Sequence, residues 1–309
     1  AGVRNAFDYG FVAPLMKPEE PKNGLFDPHQ HWPENEDCQY INVWTPSADA
    51  AARKPVMVWI HGGGYTHGSS VASFACEGTN LSRFGDVVVV SFNHRLNILG
   101  CLDLSEYGKQ YANAGNLVMA DIVEALRWVR DNIANFGGDP GNVTIFGHSS
   151  GGAKVANLLQ IPDADGLYHK AIIQTGIIPP ALRTIKEDGL AVARALLDEL
   201  DIAKENAAEV ERVPLASLVA AWHRIAPALR AQGKKVEWGV HPNDYYLGDP
   251  LVVGLREHAR QIPIMSGSTI GEFWALSTYP GKTAFDEAML NERLKQKFGA
   301  YAGKLSALF

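Results

Sequence analysis

Residues 136–152, FGGDPGNVTIFGHSSGG, constrain this chain more than any other stretch. Residues 142–146 predict a short buried strand, and residues 153–159 carry the apolar spacing of a helix. Between them lies Gly147-His148-Ser149-Ser150-Gly151, a G-x-S-x-G turn. A strand, a tight glycine-flanked turn and a helix make a nucleophile elbow, in which the serine sits on strained backbone and its neighbours lack the bulk to keep strand and helix apart. Ser149 then projects into the open at the positive end of a helix. The pentapeptide alone also fits a plain Gly/Ser loop. A second motif weighs against that reading: His61-Gly62-Gly63-Gly64-Tyr65 directly follows the apolar run 55–60. A triple glycine leaving a buried strand presents consecutive backbone N–H groups without side-chain obstruction, and such groups hydrogen-bond a developing oxyanion.

The chain has 309 residues, 46% of them hydrophobic, enough for a sizeable buried sheet. The net charge of -6 carries no block of like charges, which argues against a nucleic-acid or membrane-surface partner. No apolar run approaches the roughly 20 residues of a membrane span. Cys38, Cys76 and Cys101 lack metal-binding spacing and read as free structural thiols, and no metal or organic cofactor is called for. The chain starts at Ala1 with no basic-then-apolar signal segment, which leaves the compartment open. The missing signal and the lack of a disulfide pattern favour the cytoplasm over secretion.

Along the chain, residues 1–35 form an irregular, Pro- and Asn-rich arm. Strands are predicted at 38–44, 56–60, 87–92, 142–146, 171–174 and 262–265, the last as a buried one. Helices are predicted at about 118–135, at 153–159, around 252–258 and at 286–297. Strands alternating with helices imply a mostly parallel central sheet flanked by helices with right-handed crossovers. Residues 187–240 turn helical and read as an insertion carried on that sheet, within a single domain spanning 1–309.

The motifs carry a family likeness. Phe136-Gly137-Gly138, then four residues, then Val143-Thr144-Ile145-Phe146-Gly147-His148-Ser149-Ser150-Gly151 resembles the serine signature of the type B carboxylesterases, the group that includes the cholinesterases. Glu36-Asp37-Cys38-Gln39-Tyr40-Ile41-Asn42-Val43 resembles their second signature, with Gln39 where leucine is usual. The resemblance implies an α/β-hydrolase fold and a triad in the order serine, acid, histidine. Ser149 matches the nucleophile. Glu272, in the run Ile264 to Glu272 (IMSGSTIGE), matches the acid. The matching oxyanion donors are the backbone N–H groups of Gly63, Gly64 and Ser150. Tyr65, Phe273, Trp274, Tyr245 and Tyr246 are candidate walls of a pocket for a small-molecule ester, although aromatics near a large core more often pack than recognise.

The likeness breaks at the base. All ten histidines precede Glu272, whereas the family's imidazole follows the acid. His148 reads as a wall residue and His61 as a support of the oxyanion loop. The expectation is a bacterial-like member with residues absent at both ends, hydrolysing carboxylic esters through an acyl-enzyme on Ser149. The alternative is an inactive binding module or an inert fragment on the same fold. A dehalogenase or epoxide hydrolase wants an aspartate at the elbow, and Ser149 excludes it.

Overall fold

Residues 54–60, KPVMVWI, bury Val56, Val58 and Ile60 completely and leave Met57 and Trp59 partly covered and Pro55 exposed, the period of a pleated strand with unequal faces. The computed structural model of the chain describes residues 5–16, 32–73, 76–176, 184–269, 272 and 286–307. They form two units, 1–268 and 269–309.

In the first unit the elements run β1 (Ile41–Trp44), β2 (Lys54–Ile60), α1 (Thr79–Gly85), β3 (Val88–Phe92), α2 (Asn97–Cys101), α3 (Leu117–Asn132), β4 (Gly138–His148), α4 (Ser150–Leu158), β5 (Lys170–Gln174), α5 (Lys186–Glu199), α6 (Leu215–Ala231), α7 (Pro250–Val253) and β6 (Ile264–Gly267). The six strands lie in the order β1-β3-β2-β4-β5-β6. Only β1 is antiparallel to its neighbour; the others pair in parallel. β3 is buried along its whole length, as its unbroken VVVSF run requires. Opposite β2, Val58 pairs with Ile145 and Trp59 with Phe146 of β4, and the two rings of the latter pair stand 5.1 Å apart. This mostly parallel sheet, flanked by helices, is an α/β-hydrolase architecture.

α3 covers one face with Val118, Met119, Ile122, Val123, Leu126 and Val129, all buried at helical spacing. The predicted helix of 118–135 ends three residues early as α-helix and continues as a tighter turn, Ile133–Phe136, closed by Gly137 in the left-handed region. Arg95, just beyond β3, is joined to Asp121 of α3 through its backbone N–H (2.9 Å), Nε (2.9 Å) and Nη2 (2.6 Å). α5 and α6 pack against each other, with Leu196, Leu197, Leu218, Trp222 and Ile225 buried in the main core.

Two expectations are corrected. β6 reads from sequence as a buried strand, yet all four residues are exposed, because it is the outermost strand among the described residues. The helix predicted around 252–258 is a four-residue turn at Pro250–Val253, capped by Asp249, whose side chain accepts from the Leu251 N–H. Gly254 then leaves it at positive φ.

In the second unit, α8 (Glu287–Phe298) starts where Asp286 Oδ1 accepts the Met289 N–H at 2.8 Å, and α9 (Ala302–Ser306) follows. Ser306 Oγ donates to Asn291 Oδ1 at 2.8 Å. No helix among the described residues is long and apolar enough to cross a membrane.

Candidate active site

β4 delivers the chain to the elbow and α4 carries it away. Ser149 sits between them at φ 57°, ψ -129°, a backbone that side-chain-bearing residues rarely adopt and that a surrounding structure must enforce. Two contacts enforce it. The Ser149 N–H donates to the Gln174 carbonyl at 2.9 Å, tying the elbow to the end of β5. On the other side α4 runs hard against β2, since a Cβ on Gly151 would stand 2.2 Å from the Ile60 carbonyl oxygen. Any larger residue there would push the helix off the sheet. The half-buried Ser149 makes no capping hydrogen bond to α4, so its hydroxyl is not spent on the helix it precedes.

The glycine loop leaves β2 beside this elbow. Gly63 has φ 100°, and a Cβ there would lie 1.9 Å from the His67 carbonyl oxygen, so this turn accepts glycine alone. The Gly63 carbonyl accepts the N–H groups of Thr66 (3.0 Å) and His67 (3.1 Å), and the Asn97 N–H donates to the Tyr65 carbonyl at 2.8 Å. Of the three expected oxyanion donors, the N–H groups of Gly63 and Ser150 have no acceptor among the described residues. The third, on Gly64, donates to Ser150 Oγ at 2.7 Å. Gly64 and Ser150 thus meet across the elbow, and Ser150 is buried while Gly64 is exposed.

Beneath the loop is a buried polar layer. Tyr65, expected at a pocket wall, is 6% exposed and belongs to the main core. Its hydroxyl accepts from Asn157 Nδ2 at 2.9 Å, while Tyr246 donates its hydroxyl to Asn157 Oδ1 at 2.8 Å. Burial pushes the Tyr65 phenol well above its usual range, with Tyr246 nearby adding to the shift. The Lys154 ammonium of α4, fully buried, donates to the His61 carbonyl at 3.0 Å and to His94 Nε2 at 3.2 Å. The His61 and His94 rings stack 4.3 Å apart, each with Nδ1 on a backbone carbonyl, that of Gly62 (2.9 Å) and Arg95 (3.0 Å) respectively. Burial, then the adjacent Lys154, holds both imidazoles well below the ordinary histidine range, so both are neutral and His94 accepts from the lysine. His61 therefore supports the loop that it begins.

Glu272, in the second unit, accepts the Thr269 N–H on Oε1 at 2.6 Å, and its own N–H donates to Thr269 Oγ1 at 3.2 Å. The two bonds lock each other in the reciprocal pattern of a capping box. Phe273 and Trp274 lie outside the described residues. Tyr245 is half-buried against the main core. Of the histidines, His148 is exposed beside Ser149, His241 is buried 3.7 Å from Asp103, and His258 lies 3.7 Å from Asp165. Both separations exceed hydrogen-bond range. Among the described residues no three His, Cys, Asp or Glu side chains are grouped as metal ligands, and Cys38, Cys76 and Cys101 are free thiols. Sequence reasoning overlooked Lys154 and Asn157. The available signal was a lysine and an asparagine inside the short, otherwise apolar run that follows the elbow.

A serine at positive φ between a parallel strand and a glycine-packed helix, facing a glycine loop from the neighbouring strand, defines an α/β-hydrolase with a nucleophile elbow. The comparisons narrow this class. Residues 2–302 match the model of the Carboxylesterase family, and the chain belongs to that family. A para-nitrobenzyl esterase of Bacillus subtilis is 41% identical over 202 residues, covering 65% of this chain and 39% of that protein. A phenmedipham hydrolase of Pseudarthrobacter oxydans is 42% identical over 188 residues, covering 60% of this chain and 36% of that protein. Among solved structures, an esterase of Clostridium hathewayi described as hydrolysing aliphatic aromatic polyesters superposes with a TM-score of 0.84 at 46% identity, over 98% of this chain and 60% of that one. A carboxylesterase of Geobacillus stearothermophilus gives a TM-score of 0.75 at 36% identity, over 96% and 59%. The chain thus spans well under half of the curated relatives' length and about 60% of the solved chains.

Proposed function

We propose that this chain carries the nucleophile and oxyanion loop of a serine esterase that cleaves carboxylic esters through an acyl-enzyme on Ser149. The observation that carries the reading is the strained Ser149 at φ 57°, its hydroxyl unspent on the helix behind it, beside two unspent N–H donors. Ser149 Oγ attacks the ester carbonyl; its proton passes to a histidine base oriented by Glu272 and on to the leaving alcohol, and water then cleaves the acyl-enzyme. The Gly63 and Ser150 N–H groups hold the tetrahedral oxyanion. The Gly64 N–H joins them when the Ser150 hydroxyl turns aside. Each such donor is typically worth roughly 10²–10³ in rate.

The relatives support a substrate class for this site. A para-nitrobenzyl esterase, a phenmedipham hydrolase and an esterase active on aliphatic aromatic polyesters favour neutral esters that carry an aromatic group. The test is p-nitrobenzyl acetate hydrolysis by the full protein and by its Ser149→Ala variant. The expected loss is about 10⁴-fold or more in kcat. A variant that keeps a tenth of the activity, or a folded parent protein without any, would overturn the reading and favour a binding module on the same fold.

A further inference from the structure

α4 does more than follow the nucleophile. Two of its side chains reach across to the glycine loop: Ser150 Oγ accepts the Gly64 N–H at 2.7 Å, and Lys154 Nζ donates to the His61 carbonyl at 3.0 Å. These contacts bracket the triple glycine at both ends. We propose that Lys154 is a positioning residue, whose buried ammonium group spans from α4 to the His61 carbonyl and the His94 imidazole and fixes Gly62, Gly63 and Gly64 against the elbow. The proposal rests on the reading of this loop as the oxyanion site.

Three observations support it. The lysine is completely buried, and a charge carried into a dry core is costly unless its hydrogen bonds are made. They are made to an unusual set. One goes to the backbone carbonyl immediately ahead of the loop, one to an imidazole held neutral, and the ammonium faces the Tyr65 ring 5.1 Å from its centroid. Finally, the anchor is rigid: His61 stacks on His94, which follows β3, so the lysine joins α4 to the ends of two central strands. An unbranched apolar side chain of the same length would fill this space without the desolvation cost, so packing alone does not account for the charge.

Burial lowers the Lys154 pKa to about 7, so the tether changes strength around neutral pH. The ionisable groups facing it are His61 at the end of β2, Tyr65 in the loop, His94 after β3 and Cys101 of α2. The other histidines beside the loop are His67, whose carbonyl packs on Gly63, and His148, whose carbonyl packs on Gly62.

The experiment uses the intact protein labelled with ¹⁵N-glycine and ε-¹³C-lysine, followed by NMR from pH 5.5 to 10. The Lys154 Cε resonance is expected to titrate near pH 7, with the Gly62, Gly63 and Gly64 amides moving at the same midpoint. In Lys154→Met that component of the amide titration disappears, while any component from another group remains. A Lys154 midpoint near the ordinary value of about 10.4, glycine amides that ignore it, or an unchanged amide titration in Lys154→Met would each overturn the proposal. If Lys154→Met fails to fold, the co-titration in the parent protein still decides. Ester turnover gives a second readout: kcat of Lys154→Met falls about 10- to 100-fold with KM little changed, the pattern of a misplaced oxyanion loop. A parent protein that hydrolyses no ester refutes the esterase reading and leaves the NMR test of the tether intact.

Discussion

Replacing Gly151 by alanine tests whether the elbow is built by close backbone approach. The added Cβ would meet the Ile60 carbonyl oxygen at 2.2 Å, and the carbonyl carbon and oxygen of His61 at 3.0 Å each. The first distance is more than about 1 Å short of ordinary contact. All three neighbours are backbone atoms at the end of β2, which is clamped by parallel pairing to β3 and β4, so no side chain can swing away. Relief requires moving α4 or the end of β2. Overpacking of this kind costs typically 1–3 kcal/mol, and the rigid surroundings place Gly151→Ala at about 3 kcal/mol or more. In a chain of 309 residues, with an unfolding entropy of about 0.65 kcal/mol/K, that lowers Tm by about 5 °C or more. Gly166→Ala is the control. Gly166 has φ 75° but no atom within 4 Å of an added Cβ, so only the left-handed conformation is penalised, at about 1–2 kcal/mol. Thermal unfolding of both variants, followed by circular dichroism, separates the two costs. If Gly151→Ala melts within about 2 °C of the parent, or no lower than Gly166→Ala, the steric account of the elbow is wrong.

Other consequences are open to direct measurement. Because the folded pKa of Lys154 is lowered from 10.5 to about 7, the unfolded chain binds more protons between these values, and this residue's contribution to stability rises with pH across that window. Below it the charged lysine costs on the order of 5 kcal/mol. Lys154→Met is therefore expected to raise the urea midpoint most at pH 6 and progressively less toward pH 10; parallel curves would refute the linkage. Asn157→Leu removes the amide shared by Tyr65 and Tyr246, takes its donor from the buried Tyr65 hydroxyl and costs about 1–3 kcal/mol in urea unfolding. A loss under about 0.5 kcal/mol would mean the phenols find other partners. Burial raises the thiols of Cys38 to about 11 and Cys101 to about 12. A disulfide-exchange reagent at pH 8 should therefore modify one of the three thiols, Cys76, in the folded protein and all three after denaturation.

The parts of this architecture that were legible in sequence are those that two-sided burial writes into it. The VVVSF of β3 and the VMVWI of β2 admit few other environments, and the G-x-S-x-G turn announces its geometry because only small residues tolerate it. β6 reads as buried because an apolar tetrapeptide looks the same in the middle of a sheet and at its edge. Tyr65 reads as a pocket wall because it follows the glycines, but it sits at φ 62° and is buried in the main core, a placement that local sequence does not encode. Lys154 escaped notice for a related reason. A single lysine in an apolar helix ordinarily snorkels outward, and only the tertiary placement of His61 and His94 gives it partners inside.

The central claim is that Ser149 is the nucleophile of this fold. It is tested most directly by exposing the folded protein to a fluorophosphonate and locating any adduct by intact mass and peptide mapping. The account predicts a single adduct, on the peptide carrying Ser149, and none in Ser149→Ala. An adduct on another residue, or a folded protein that takes up no probe, would contradict it.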